Sequence, residues 1–253
     1  MSPVGSHKPN TAVPQAFYAK EKGVTGFTTE TGVGQWGTAH AMACKFFDLE
    51  CHVYMVKVSY QQKPYRRIIM QNYGASINPS PSEKTQFGQK VLADDHDCPG
   101  SLGMSISESV EAAATSGGKY KYSLGSFLGP VLMHQTVVGL EAIKQFEMAG
   151  EYPDVVIGCI GGGSNFSGFV FPFLYQKFSN GNDIRVVAAE PMSLPYADQG
   201  FVYLRLCRYG RDGANCKDAH ARPYFHPARH PRWRPALPWH VAAHLRPVRQ
   251  RRY

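Results

Sequence analysis

A lysine stands near the start of the chain in the segment GSHKPN, residues 5–10. Ser6 can cap a helix, and proline is tolerated in a first helical turn, so the segment predicts that a helix begins here and that Lys8 projects from its start. An amine held in this way can attack a carbonyl carbon if it is partly neutral. Burial and the neighbouring imidazole of His7 would both favour the neutral amine by lowering its pKa.

A second segment with binding chemistry is GCIGGGSNFSG, residues 158–168. An apolar run ends in three consecutive glycines, and Ser164 and Asn165 then open a helical pattern. Unobstructed backbone N–H groups and the start of a helix together favour an anion such as phosphate. No Gly-Lys-Ser/Thr follows, and G-x-G-x-x-G is not in register, so neither of those nucleotide motifs is present. A tight turn that only needs glycine remains the alternative interpretation of this segment.

A positioned amine and a phosphate-binding loop in one α/β chain favour pyridoxal phosphate, held by the lysine as a Schiff base. Taken alone, Lys8 could equally be a surface lysine near a fraying terminus. The two segments together carry the hypothesis.

Alternating strands and helices must position these segments. The strands are continuous apolar runs, which is typical of parallel sheets covered by helices on both faces, and we therefore predict an α/β fold. Strands are predicted over 26–30, 51–58, 154–160 and 183–190, and helices over 35–47, 63–74, 84–95, 104–116, 131–149 and 165–178.

Charge and cysteine usage limit the classes of function. The net charge of +8 arises in residues 204–253, which hold 12 Lys and Arg against 2 Asp and Glu, so the remaining chain gives no reason to expect nucleic-acid binding. No apolar run reaches the length of about 18 residues that spans a bilayer. Six scattered cysteines indicate neither a metal site nor a disulfide framework, so we expect a reducing, cytoplasmic compartment.

Three motifs in order, GSHKPNTA, TETGVGQWGTA (29–39) and VVIGCIGGGSNFSG (155–168), resemble the β chain of tryptophan synthase, specifically its longer second subtype, which is thought to work without an α partner. The similarity continues through LECHVYMVKVSYQQKPYRRIIMQNYGA, KYSLGS, HQTVVGLEA and EYPDVVIG, and covers residues 2–203. The resemblance implies the type II fold of pyridoxal-phosphate enzymes in an incomplete form.

The resemblance also assigns residues. Lys8 is similar to the Schiff-base lysine, which moves the proton at Cα, and Glu30 to the acid that helps expel the β-substituent of serine and assists indole attack. Asn10 is expected near the ring oxygen of the cofactor. The family usually has alanine where Val33 stands. The cofactor phosphate is assigned to His7, Gly161, Gly162, Gly163, Ser164 and Asn165, and the substrate carboxylate to Thr31, Gly32, Val33, Gly34 and Gln35.

The implied reaction is a β-replacement that converts L-serine and indole to L-tryptophan, catalysed by a carbon–oxygen lyase of tryptophan biosynthesis. The implied assembly is a homodimer for which an α subunit is not required. Related serine or threonine dehydratases and threonine synthases share the lysine and the glycine loop and remain alternatives. Two further alternatives are a non-functional fragment with a basic tail and a binding module whose Arg-rich tail contacts nucleic acid.

Three regions are predicted along the chain: a lysine-bearing domain over 1–150 with a mobile substrate-closing part, the start of a phosphate-binding domain over 151–203, and a tail over 204–253. Proline, arginine, histidine and tryptophan dominate the tail. Permissible codons for parts of it, read in another frame, give family-like segments, so we expect an out-of-frame, disordered extension. Because family members also carry a segment before GSHKPN, the truncated chain is expected to be poorly stable and weakly active.

Overall fold

The computed structural model describes residues 2–189, and the predicted out-of-frame tail lies outside them. The described chain divides into two compact units, the first ending at Gly125 and the second beginning at Ser126. The elements in chain order are α1 (Pro9–Glu21), β1 (Gly26–Thr31), α2 (Gln35–Phe46), β2 (Glu50–Val56), α3 (Lys57–Gln62), α4 (Pro64–Asn72), β3 (Ser76–Ser80), α5 (Gln86–Asp94), α6 (Leu102–Ala114), β4 (Tyr120–Ser123), α7 (Gly129–Gln135), α8 (Val137–Ala149), β5 (Val155–Cys159), α9 (Ser164–Asn180) and β6 (Arg185–Ala189).

A four-stranded parallel sheet forms the centre of the first unit, in the order β3-β2-β1-β4. Helices cover both faces, because consecutive side chains of β1 reach opposite helices. The Thr28 hydroxyl donates to the carbonyl of Ser109 on α6 (2.7 Å), while the Thr29 hydroxyl accepts from the Trp36 indole on α2 (2.7 Å). The parallel α/β sheet predicted from the sequence is confirmed.

Helix α1, which follows Lys8, packs on α2 through small side chains. Ala12 and Ala16 of α1 and Ala39 and Ala43 of α2 are fully buried in one core cluster. Alanine lets the two backbones approach closely at no side-chain entropy cost. Gln15 also ties α1 to the end of β4, because its amide donates to the Leu124 carbonyl (3.0 Å).

The second unit is built on α9, which packs against α7, α8 and β5. Its buried core includes Phe166, Val170 and Phe173 of α9 and Ile143 of α8. Since α7 and α8 pack here, the units part at Gly125, earlier than the domain boundary that the sequence analysis placed at residue 150.

Four features differ from the sequence-based prediction. Strands β3 and β4 were not predicted, because both are short edge strands of largely polar residues without an apolar run. Helix α3 was missed because it follows β2 without a turn residue. The helix predicted over 131–149 is two helices, since the Thr136 hydroxyl bonds the Met133 carbonyl (2.6 Å) and competes with regular helix hydrogen bonds.

No helix within residues 2–189 combines the length and the apolar character needed to cross a membrane.

Candidate active site

Lys8 occupies the N-cap position of α1, directly before Pro9 in the first turn. The prediction that Ser6 caps this helix was wrong: the Ser6 hydroxyl accepts from the Lys8 N–H (3.4 Å), one residue before the helix begins. The Lys8 ammonium donates to the Gly125 carbonyl, next to the end of β4. Gly125 has no room for a side chain, because a Cβ there would clash with the Trp36 ring. The acceptor of Lys8 is thus fixed by core packing.

Burial lowers the pKa of the Lys8 amine to about 8, and the nearby charge of Glu30 opposes this shift. The sequence analysis also attributed the lowered pKa of Lys8 to the imidazole of His7, and this attribution is wrong. Burial, together with the charge of Lys8, lowers the pKa of His7 itself to about 4, so the imidazole is neutral at pH 7 and adds no positive charge. The Lys8 amine is therefore tuned by desolvation.

Glu30 lies near the carboxyl end of β1 and is buried, with 5% of its surface exposed. Burial raises the pKa of its carboxyl to about 8, while a hydrogen bond from Tyr122 and the charge of Lys8 act in the opposite direction. The Tyr122 hydroxyl donates to Glu30 Oε2 over 2.7 Å. At neutral pH a carboxyl with this pKa is largely protonated, so Glu30 can donate a proton rather than only accept one.

Lys8 and Glu30 interact electrostatically. Each charge favours the ionised form of the other group, and the pKa of each lies at about 8. Groups with matched pKa values exchange protons at little free-energy cost, and such perturbed pairs are typical of catalytic sites.

The segment 31–35 forms a preorganised turn at the start of α2. The Thr31 hydroxyl oxygen accepts from the N–H groups of Gly34 and Gly37, each over 3.2 Å. Gly34 has φ of 95°, a backbone conformation that favours glycine. Val33 is 51% exposed, so the extra methyl groups relative to alanine meet no packed core. The turn opens at a helix N-terminus, where a carboxylate is electrostatically favoured.

We predict that Thr31→Val lowers the free energy of unfolding by about 1–2 kcal/mol, because two buried N–H groups lose their acceptor while the side-chain shape is kept. Denaturant unfolding measures the change. Thr25→Val, at an exposed position just before β1, is the matched control. Equal stability of the two variants would contradict a capping role for Thr31.

The glycine loop of the second unit fits a phosphate. Gly163 adopts φ of 84° and caps α9, which has no acidic residue in its first turn. A Cβ on Gly161 would meet no atom within 4 Å, so open space lies beside the loop. The Gly162 carbonyl accepts from the Ser126 hydroxyl (2.6 Å) and the Phe127 N–H (3.3 Å), which anchors the loop. Ser164 is buried at the start of α9, and Asn165 is exposed.

The structure thus gathers most predicted residues in the first unit. His7 and Asn10 lie at the start of α1 with Lys8, Glu30 lies on β1, and the segment 31–35 follows it, whereas residues 161–165 belong to the second unit. Within residues 2–189, no group of three or more His, Cys, Asp or Glu side chains is arranged to hold a metal ion. Sequence reasoning missed Gly125 and Tyr122, although both lie in the KYSLGS motif that it used.

Curated relatives are slightly more than half identical to this chain over the residues that align. The tryptophan synthase beta chain 2 of Methanothermobacter thermautotrophicus is 55% identical over 199 residues, which are 79% of this chain and 46% of that protein. The tryptophan synthase beta chain 2 of Thermotoga maritima is 56% identical over 200 residues, again 79% of this chain and 47% of that protein. The chain therefore spans about half the length of these relatives.

Solved structures share the fold at low identity. A threonine deaminase from T.th. superimposes with a TM-score of 0.58 at 19% identity, covering 78% of this chain and 54% of that one. A pyridoxal 5'-phosphate-dependent aspartate racemase gives a TM-score of 0.54 at 22% identity, covering 74% of this chain and 48% of that one. The sequence model of a family described as pyridoxal-phosphate dependent enzyme matches residues 1–222. With its half-buried lysine and its glycine loop, this chain belongs to the family of pyridoxal-phosphate dependent enzymes.

Proposed function

We propose that this chain carries the catalytic lysine and acid of an enzyme that forms L-tryptophan and water from L-serine and indole. The observation that carries the proposal is the buried Glu30 acid, placed directly before the preorganised turn 31–35. The relatives named tryptophan synthase beta chain 2 support it. Lys8 and the loop 161–165 alone would serve several reactions of this family equally well.

Each residue has a proposed part in holding the reactants. Pyridoxal phosphate, when bound, supplies an electron-withdrawing ring that stabilises negative charge at Cα of an amino acid. Lys8 would hold the cofactor through Nζ, and Asn10 would lie near its ring oxygen. The phosphate is held by His7, Gly161, Gly162, Gly163, Ser164 and Asn165, and the α-carboxylate of serine by Thr31, Gly32, Val33, Gly34 and Gln35.

Lys8 and Glu30 move the protons of the reaction. The neutral Lys8 amine takes the proton from Cα of serine, and the protonated Glu30 carboxyl gives its proton to the β-hydroxyl oxygen, which leaves as water. The Glu30 carboxylate then receives the proton that indole loses when its carbon joins Cβ, and the Lys8 ammonium returns its proton to Cα. A carboxyl with a pKa of about 8 is suited to both directions of transfer.

The cellular compartment and the oligomeric state of the enzyme belong to the same proposal. We expect a cytoplasmic homodimer that does not require an α subunit. Support for a reducing compartment comes from the scattered spacing of the six cysteines, which indicates no disulfide framework.

The test is a chimaera in which residues 2–189 of this chain replace the matching residues of the Thermotoga maritima relative. With L-serine, indole and pyridoxal phosphate, the chimaera is expected to produce tryptophan, measured by chromatography. Pyruvate formation from serine, unaffected by indole and without tryptophan, would overturn the proposal in favour of a dehydratase.

A further inference from the structure

Tyr122 brings a phenol hydroxyl to the Glu30 carboxyl from the neighbouring strand. In the parallel pairing of β1 with β4, Tyr122 stands opposite Thr28, and Thr28 and Glu30 point to the same face of the sheet. The hydroxyl donates to Glu30 Oε2 over 2.7 Å. The adjoining residue Ser123 is held in turn, because its carbonyl accepts from the Thr29 hydroxyl over 2.6 Å. The donor therefore stands on a fixed backbone.

We propose that Tyr122 is a positioning residue whose hydroxyl holds the Glu30 carboxyl in the orientation needed for proton transfer. The consequence for catalysis rests on the proposed function, whereas the contact itself does not. Tyr122 acts through Glu30 and is not assigned a contact with the substrate.

The hydrogen bond also sets the acidity of Glu30. Burial alone would make the buried carboxyl a still weaker acid, and a donor to its charged form lowers the pKa toward a value at which the proton can leave. Lys8 is the other charged group that lowers this pKa. The remaining titratable groups on the elements packed against β1 are Glu50, Cys51, His52 and Tyr54 on β2, Tyr120 and Lys121 on β4, Glu108 and Glu111 on α6, and His40, Cys44 and Lys45 on α2. The pKa of Tyr54 is raised to about 12 by burial and by the charges of Glu108 and Glu111, and His40 packs on Trp36 and Phe27.

The same strand offers a matched control. The Tyr120 hydroxyl donates to Glu50 Oε2 over 2.6 Å, and Glu50 is exposed at the start of β2. Tyr120→Phe removes the same hydroxyl from the same strand, but away from Glu30.

The first test follows the Glu30 carboxyl directly. The chain is labelled with ¹³C at the glutamate carboxyl carbons, Glu30→Gln identifies the Glu30 signal, and the signal is titrated by NMR without cofactor or substrate. In Tyr122→Phe the midpoint of Glu30 is expected to rise by about one pH unit, the effect of one hydrogen bond to a carboxylate. In Tyr120→Phe it is expected to stay in place. An unchanged midpoint in a folded Tyr122→Phe chain, judged by circular dichroism, would overturn the proposal.

The second test links the contact to the reaction in the chimaera. Glu30 must be protonated to expel the hydroxyl, so turnover is expected to fall at high pH. In Tyr122→Phe this fall is expected at a higher pH than in the unsubstituted chimaera. Cofactor absorbance and the KM for serine are expected to stay unchanged. A shifted Glu30 midpoint with an unmoved turnover profile would also overturn the proposal. If the unsubstituted chimaera makes no tryptophan, the proposed function has failed, and the titration alone decides the role of Tyr122.

Discussion

Replacing Lys8 by alanine in the chimaera is expected to abolish the absorbance band that pyridoxal phosphate acquires on covalent attachment to a lysine, and with it all measurable tryptophan formation. The physical reason is that Lys8 combines a pKa lowered to about 8 with a fixed acceptor, the Gly125 carbonyl, which together present a partly neutral and positioned amine. Absorbance spectra at the boundary of the ultraviolet and visible ranges, recorded with added cofactor, measure the loss of the band.

Lys20→Ala provides the control, because Lys20 is exposed on the last turn of the same helix. It should leave the band and the turnover intact. A Lys8→Ala chimaera that keeps the band would show that another amine holds the cofactor, and the assignment of Lys8 would be withdrawn. Loss of the band in both variants would point to damage to α1 instead.

Central strands could be predicted from the sequence, whereas edge strands could not. β1 is buried along its whole length, and β2 is mostly buried, so both appear as continuous β-prone runs. β3 contains Asn78 and Pro79, and β4 is only four residues long, so neither has a pattern of its own. Their pairing is decided by the neighbouring strands, which single-sequence periodicity does not contain.

The candidate site was predictable where one segment supplies it and not where distant segments meet. Lys8, the turn 31–35 and the loop 161–165 are local motifs. The Gly125 acceptor of Lys8 lies 117 residues away along the chain, and Tyr122 lies 92 residues from Glu30. The contact of Tyr122 with Glu30 requires the pairing of β1 with β4, and the contact of Lys8 with Gly125 requires α1 to pack beside the end of β4.

The sign of the pKa shift of Lys8 was predicted correctly, but one of the two causes predicted for it was wrong. Burial accounts for the lowered pKa, as the sequence suggested, while the adjacent imidazole is itself neutral because burial and Lys8 lower its pKa. Glu30 could not be identified as a buried acid from a polar segment such as TTET. Its burial follows from the central position of β1 between β2 and β4, with α6 packed on the sheet.

Glu30→Gln in the chimaera is expected to lower the rate of tryptophan formation by about 10² or more, the usual contribution of a general acid–base group. The amide has the shape of the carboxyl and can still accept from Tyr122, but it cannot give a proton to the leaving hydroxyl. The cofactor band should remain, because Lys8 and the loop 161–165 are unaltered. Steady-state rates with serine and indole, compared with the absorbance spectrum of the same sample, measure both expectations.

Glu50→Gln is the matched control, since Glu50 also accepts a tyrosine hydroxyl but is exposed and ion-paired with Lys119. It should change neither the rate nor the spectrum. Unchanged tryptophan formation in Glu30→Gln would remove Glu30 from the mechanism, and loss of the cofactor band would make its role structural. If Glu30 is a general acid, a third pattern is expected in Glu30→Gln. The spectrum is retained, and the rate falls most below pH 8, where the native carboxyl is protonated and able to donate.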